Sequence, residues 1–267
     1  MQNRVVIITG ASSGIGKALA EKYASEHCRL VLAARRIERL RLLEEKFNNT
    51  EILSVKTDVT VKEDCKRLIE QAVERFGKID VLINNAGISM RAVFENVELS
   101  VLHRMMDVNY WGTVYCSKYA LPYLLESKGS LVGVISIGGY VGLPGRTGYS
   151  ASKFAVRGFL DTVRTENLKT GLHVLVAAPG FTASEIRMNA LTAKGSIQGE
   201  TPRNEGRMMS SEEVAEKIYD AIKKRRRKLI LNFIEGKLTV FISKIWARLA
   251  EAVVYKIFAK ESNSPLR

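Results

Sequence analysis

Short apolar runs alternate with longer stretches of mixed polarity along most of the chain. Val5–Ile8 is an unbroken β-branched run, the pattern of a strand covered on both faces. Strand patterns recur at Arg29–Ala34, Ile52–Lys56, Ile79–Ile83, Leu131–Ser136, Val174–Ala178 and Lys228–Asn232. Between them, helical spacing covers Gly14–Glu26, Ile37–Phe47, Val61–Phe76, Ser100–Glu126, Gly148–Lys169 and Ser211–Lys224. Gly77 follows the third of these as a C-terminal cap, and Glu212 and Glu213 fall in the first turn of the last. The alternation predicts an α/β fold: a three-layer, Rossmann-type, doubly wound parallel sheet of about seven strands. Ligands of such sheets sit beyond the carboxyl ends of the strands, where strand order reverses. With no internal repeat and no long linker, residues 1–232 read as one domain and 233–267 as a C-terminal extension.

Composition narrows this little. A 267-residue chain with 46% hydrophobic and 26% charged residues is that of an ordinary soluble protein. Cys28, Cys65 and Cys116 are far apart and His27, His103 and His173 are scattered, so neither a disulfide framework nor a metal site is expected. The first strand begins almost at Met1, so no signal peptide is expected before it, and no apolar run is long enough to span a bilayer. A cytoplasmic location is expected. The net charge of +13 is uneven: residues 223–267 hold twelve Lys/Arg against three Glu.

The candidate chemistry begins where the first strand ends. Gly10, Ser12, Ser13, Gly14, Ile15 and Gly16 form a glycine-rich turn into a helix, which offers free N–H groups to a pyrophosphate. The spacing is G-x-x-x-G-x-G rather than the common G-x-G-x-x-G. The second strand ends in Arg35-Arg36, where a site for NAD usually places a carboxylate on the ribose 2′-hydroxyl. Two guanidinium groups suit a 2′-phosphate instead, so NADP(H) is the expected cofactor. Tyr149 and Lys153 are four apart on a predicted helix and share a face. An ammonium beside a phenol lowers the phenol's pKa and suits it to proton exchange. Ser136 ends the preceding strand, where its hydroxyl can bond a substrate oxygen.

These stretches together resemble the short-chain dehydrogenase/reductase family, from about Asn3 to Asn232. The Thr9-Gly10…Gly14-x-Gly16 turn is that family's form of the glycine motif, which accounts for the spacing. Asn84-Asn85-Ala86-Gly87 is similar to its motif after the fourth strand, Asp58-Val59 to its pair beside the adenine, and Asn109 to its helical asparagine. Ser136, Tyr149 and Lys153 resemble its catalytic set, and Pro179-Gly180 its nicotinamide turn. Five residues past the proline, where the family often has threonine, this chain has Ser184, with Thr182 nearby; either hydroxyl can reach the nicotinamide amide.

The resemblance implies NADPH-dependent reduction of a ketone or aldehyde. In it Tyr149 donates a proton, Ser136 orients the oxygen, Lys153 holds the ribose and Asn109 supports proton resupply. A non-catalytic NADP(H)-binding scaffold is the alternative. It also implies a substrate lid over Phe181–Ser210 and a homo-oligomer. Beyond the basic run Lys223–Lys228, apolar residues at 238, 242, 245, 249 and 253, broadened by 241, 246, 254, 257 and 258, predict a basic amphipathic helix over Leu238–Phe258. It is open to three readings: an anionic membrane surface, packing on the enzyme or a second subunit, and, least supported, nucleic acid. The membrane reading points to a lipophilic substrate such as a long-chain keto lipid, a ketosphinganine-like base or a sterol.

Overall fold

Seven strands form one parallel sheet in the order β3-β2-β1-β4-β5-β6-β7. They are β1 (Val5–Thr9), β2 (Arg29–Ala34), β3 (Ile52–Lys56), β4 (Val81–Asn84), β5 (Ser130–Val134), β6 (His173–Ala178) and β7 (Lys228–Ile230). The computed structural model describes residues 1–201 and 208–266, with 233–235 as backbone only. Every residue of β1, β4, β5 and β6 is buried, as expected for strands covered on both faces. Strand order reverses between β1 and β4, so a crevice opens past Thr9 and Asn84 at their carboxyl ends.

Helices cover both faces. On one lie α1 (Gly14–Ser25), α2 (Ile37–Lys46) and α7 (Ser211–Lys223), with Leu19, Tyr23, Leu40 and Ile218 in the core against β1 and β2. On the other lie α3 (Lys62–Phe76), α5 (Gly112–Glu126) and α6 (Thr147–Glu166), burying Leu68, Leu124 and Leu160. Gly77 ends α3 in the left-handed conformation at φ 73°, as its cap position predicts. Ser210 and Glu213 form a capping box at the start of α7, which satisfies two otherwise free backbone donors.

Three sequence expectations are revised. The helix expected over 100–126 is α4 (Leu99–Met105), a π-helical turn (Met106–Trp111) and then α5. The π turn adds a residue without breaking the apolar spacing, so periodicity does not register it. It carries Asn109, and such turns recur at functional sites. Ser136 lies two residues beyond β5 rather than at its end, where its hydroxyl accepts from the Gly138 N–H (3.1 Å). The single helix expected over 238–258 is two: α8 (Thr239–Ile245) and α9 (Ala247–Ala259), broken at Trp246 (φ −131°, ψ 71°). The break lets Val240, Val254 and Phe258 join the core on the α3–α5–α6 side. The stripe picked out by periodicity (238, 242, 245, 249, 253) lies mostly outward. The segment has apolar side chains on more than one face, and spacing alone does not say which face meets the body.

Candidate active site

A single crevice at the carboxyl ends of the strands brings most of the expected residues together. Its walls include Gly10, Ser12, Ser13, Gly14, Ile15, Arg35, Arg36, Asp58, Val59, Asn85, Ala86 and Gly87. Ser136, Tyr149, Lys153, Pro179, Gly180, Thr182 and Ser184 line the same crevice. Gly16 and Asn109 do not line it and act from behind its walls.

The glycine turn is shaped by close backbone approach. Gly10 has φ +67°, and a Cβ there would stand 2.8 Å from the Ala86 Cα. A Cβ on Gly16 would overlap the Gly10 carbonyl oxygen. The Asn84–Gly87 segment braces this turn: the Asn85 and Ala86 N–H groups each donate to Thr9 Oγ1 (3.0 Å), and Asn85 Nδ2 donates to the Thr9 carbonyl (2.9 Å). The Asn85 side chain is thus committed to holding the turn open. Ser184 sits directly over Gly14, while the Thr182 hydroxyl donates to the Gly180 carbonyl (3.2 Å).

At the end of β2 the two arginines differ. Arg35 is exposed. Arg36 Nη2 donates to Ser12 Oγ (3.1 Å) and Ser13 Oγ (3.0 Å), and Nη1 meets the Glu185 carboxylate at 3.3 Å. Arg39, one turn along α2, pairs with the same carboxylate at 3.0 Å. Partial burial pushes the Glu185 carboxyl up, but Arg39 and Arg36 outweigh it and hold it below its usual range. Two guanidiniums thus hold one carboxylate beside the glycine turn, and Ser12 and Ser13 fix the Arg36 guanidinium there. Sequence reading missed Arg39 and Glu185. The signal for Arg39 was its i+3 spacing from Arg36; nothing in the sequence ties Glu185 to them from so far along the chain.

The same crevice holds the groups that handle protons. Tyr149 is half-buried and shares the crevice wall with Ser136. Burial raises its pKa above the usual tyrosine value, and Ser136 and then Arg146 oppose that rise. The expectation that Lys153 is the group lowering it is therefore revised: the Lys153 Nζ lies 5.9 Å from the ring centroid and donates to the Val134 carbonyl (3.0 Å). Burial brings Lys153 itself down to about 8. Asn109 Oδ1 accepts from the Ile88 N–H (2.8 Å), and its Nδ2 donates to Ser152 Oγ (2.9 Å) and the Ile88 carbonyl (3.1 Å). A Cβ on Gly87 would stand 3.1 Å from Asn109 Oδ1 and 3.3 Å from Lys153 Nζ, so this glycine keeps the space between amide and ammonium clear.

The far wall comes from unexpected places. Phe258, at the end of α9, packs against Phe181 with ring centroids 6.1 Å apart. Glu261 is 4% exposed and lies 3.5 Å from Arg91 Nε and 3.6 Å from an Arg146 Nη. In sequence Glu261 reads as one more tail charge. In space it ties the C-terminal segment to the rim of the crevice. Leu191 and Ile197, joined by a β-bridge, add apolar wall from the segment expected to be a lid; residues 202–207 of that segment lie outside the described residues.

The anion-holding residues fit a dinucleotide on structural grounds. The glycine turn leaves room for a pyrophosphate at a helix N-terminus, and Arg36 already grips an oxyanion beside it.

Comparison with known proteins identifies the family. The family model of the short chain dehydrogenases matches residues 4–195. A Dictyostelium discoideum dehydrogenase/reductase SDR family protein 7-like is 34% identical over 98% of this chain and 83% of its own length. An 11-beta-hydroxysteroid dehydrogenase of Pinus massoniana is 39% identical over 74% of this chain and 56% of its own. Among solved structures, an alcohol dehydrogenase from Thermococcus sibiricus complexed with 5-hydroxy-NADP superposes with TM-score 0.76 at 25% identity, covering 85% of this chain and 94% of that one. A short-chain dehydrogenase/reductase from Burkholderia phymatum in complex with NAD gives 0.75 at 26%, covering 85% and 88%. The chain belongs to the short-chain dehydrogenase/reductase family, whose members are oxidoreductases that bind a nicotinamide cofactor.

Proposed function

We propose that the protein reduces a lipophilic ketone or aldehyde to the alcohol with NADPH. The observation that carries this reading is the crevice itself, which is lined both by an arginine anion grip held by serines and by Ser136, Tyr149 and Lys153. When bound, the nicotinamide supplies hydride to the carbonyl carbon. Tyr149 gives its phenolic proton to the carbonyl oxygen, so that C=O becomes CH–OH, and Ser136 holds that oxygen during transfer. Lys153 bonds the cofactor ribose. Asn109, fixed by three hydrogen bonds, keeps the route behind Lys153 open for proton return. Arg36, with Arg35 and Arg39, binds the ribose 2′-phosphate, and Asp58-Val59 lie against the adenine. Pro179, Gly180, Thr182 and Ser184 line the nicotinamide end.

The apolar wall formed by Leu191, Ile197, Phe181 and Phe258 supports the lipophilic substrate class, and one related protein is named for a steroid activity. Assembly as a homo-oligomer is part of the same reading. A retired enzyme used as a cofactor-binding scaffold has no evident physical need for Ser136, Tyr149 and Lys153 together. NADPH oxidation measured with a panel of long-chain ketones and steroid ketones tests the proposal. Ketone-dependent oxidation supports it; tight NADPH binding with no oxidation by any ketone favours the scaffold.

Lys153 makes one part of this pH-dependent. Burial brings the Lys153 pKa down to about 8 in the folded protein, from the ordinary lysine value of 10.5 in the unfolded chain. Between those values the unfolded chain binds more protons, so this group adds stability as pH rises through the window. Cofactor binding runs the other way, because the ammonium is lost. Fluorescence titration is expected to show NADPH affinity falling as pH rises through about 8. In Lys153→Met the affinity is weaker and the pH step is absent.

A further inference from the structure

The C-terminal helices leave a surface that the catalytic reading does not use. Seven of the sixteen exposed large apolar side chains among the described residues lie between Leu238 and Tyr255. Phe241 is 60% exposed and Trp246 63%. Ile245, Leu249 and Val253 extend the patch along α8 and α9. A contiguous apolar face on a soluble domain marks an interaction site. α8 and α9 do not lack a core contact, since Val240 on α8 and Ala250, Val254 and Phe258 on α9 already bury their inner side.

Charge selects the occupant. Residues 237–260 hold Lys237, Lys244, Arg248, Lys256 and Lys260 against Glu251 alone. Lys244 also lies near enough to Lys228 to lower its pKa, alongside the larger effect of burial. A second copy docked across a two-fold axis would set this positive face against itself. An anionic bilayer meets both halves of the surface, apolar side chains in the acyl boundary and ammonium groups among the headgroups. No helix among the described residues is long and apolar enough to cross a membrane, so the geometry is that of a helix pair lying on one. An exposed tryptophan at the helix junction suits the interface, with an apolar body and a polar N–H.

We infer that the outer face of α8 and α9, centred on Phe241, Ile245, Trp246 and Leu249 and flanked by Lys244 and Arg248, docks the protein on an anionic lipid surface. The inner face of α9 ends in Phe258, a wall of the substrate crevice, and its flank lies along the Gly142–Pro144 loop. A bilayer bound to the outer face is therefore one helix away from the crevice that the proposed lipophilic substrate enters. The docking itself does not depend on that catalytic reading.

Flotation of the full chain with vesicles tests it, using pure phosphatidylcholine and a mixture with phosphatidylserine. The full chain is expected to float with the mixed vesicles and remain behind with the neutral ones. F241S/I245S/W246S and K244E/R248E are each expected to weaken binding at least about tenfold. Both variants should keep wild-type NADPH fluorescence and far-ultraviolet circular dichroism, which separates lost docking from lost folding and from failure of the catalytic reading. Absence of flotation with anionic vesicles overturns the inference, as does flotation unchanged in both variants. A stable dimer in light scattering that splits in F241S/I245S/W246S also overturns it, because the face would then belong to a second copy.

Discussion

Tyr149→Phe lowers kcat for ketone reduction by about a thousandfold, the range general-acid catalysis supplies, and leaves the Kd for NADPH unchanged. The phenolic hydroxyl is the group placed to give a proton, half-buried in the crevice that Ser136 also lines. Phenylalanine keeps the ring, its packing and its position one turn from Lys153, and removes only that hydroxyl. Burial holds the Tyr149 pKa above its ordinary value, so the residue carries its proton through the neutral range and is ready to donate. Single-turnover measurement with saturating NADPH isolates the step. The Kd, measured by nicotinamide fluorescence, stays put because the anion grip is untouched.

Arg36→Ala reverses the cofactor preference. Hydrogen bonds to a charged group are each worth about 1.5–3 kcal/mol, so NADPH binding weakens by about 10- to 150-fold, while NADH binding is nearly unaffected. The guanidinium is already aimed by Ser12 and Ser13, with the Glu185 carboxylate at its open side. A 2′-phosphate in that place competes with Glu185 for Arg36 and Arg39. Glu185→Ala is therefore expected to act in the opposite direction and tighten NADPH binding. Arg35→Ala, at an exposed position, is expected to have a smaller effect than Arg36→Ala. Parallel titrations with NADPH and NADH decide all three. Equal loss for both cofactors would mean that Arg36 only stabilises the turn.

What the sequence conveyed and what it did not follows from how local each feature is. The strands were legible because a parallel strand covered on both faces has to be an apolar run. The glycine turn was legible because close approach at Gly10 and Gly16 leaves no room for a Cβ. Tyr149 and Lys153 could be paired because helical spacing alone puts them on one face. The π turn at Asn109 was invisible, since one added residue leaves the apolar period nearly intact. Glu185 against Arg36, and Glu261 against Arg91 and Arg146, join residues far apart in the chain that no local pattern connects. The tail was misjudged differently: its apolar character was plain, but which face packs inward depends on the break at Trp246 and on what α9 meets. The effect of Lys153 on Tyr149 was misjudged because four-residue spacing gives proximity and not direction, and the ammonium points to the Val134 carbonyl.

Transfer of a label from the cofactor to the product tests the central claim most directly. The full chain is incubated with a lipophilic ketone and NADPH deuterated at the reactive nicotinamide carbon, and the alcohol is analysed by mass spectrometry. Deuterium on the carbinol carbon, with alcohol formed about a thousandfold more slowly by Tyr149→Phe, is the predicted result. Alcohol without deuterium, or labelled alcohol formed equally well by Tyr149→Phe, would contradict it.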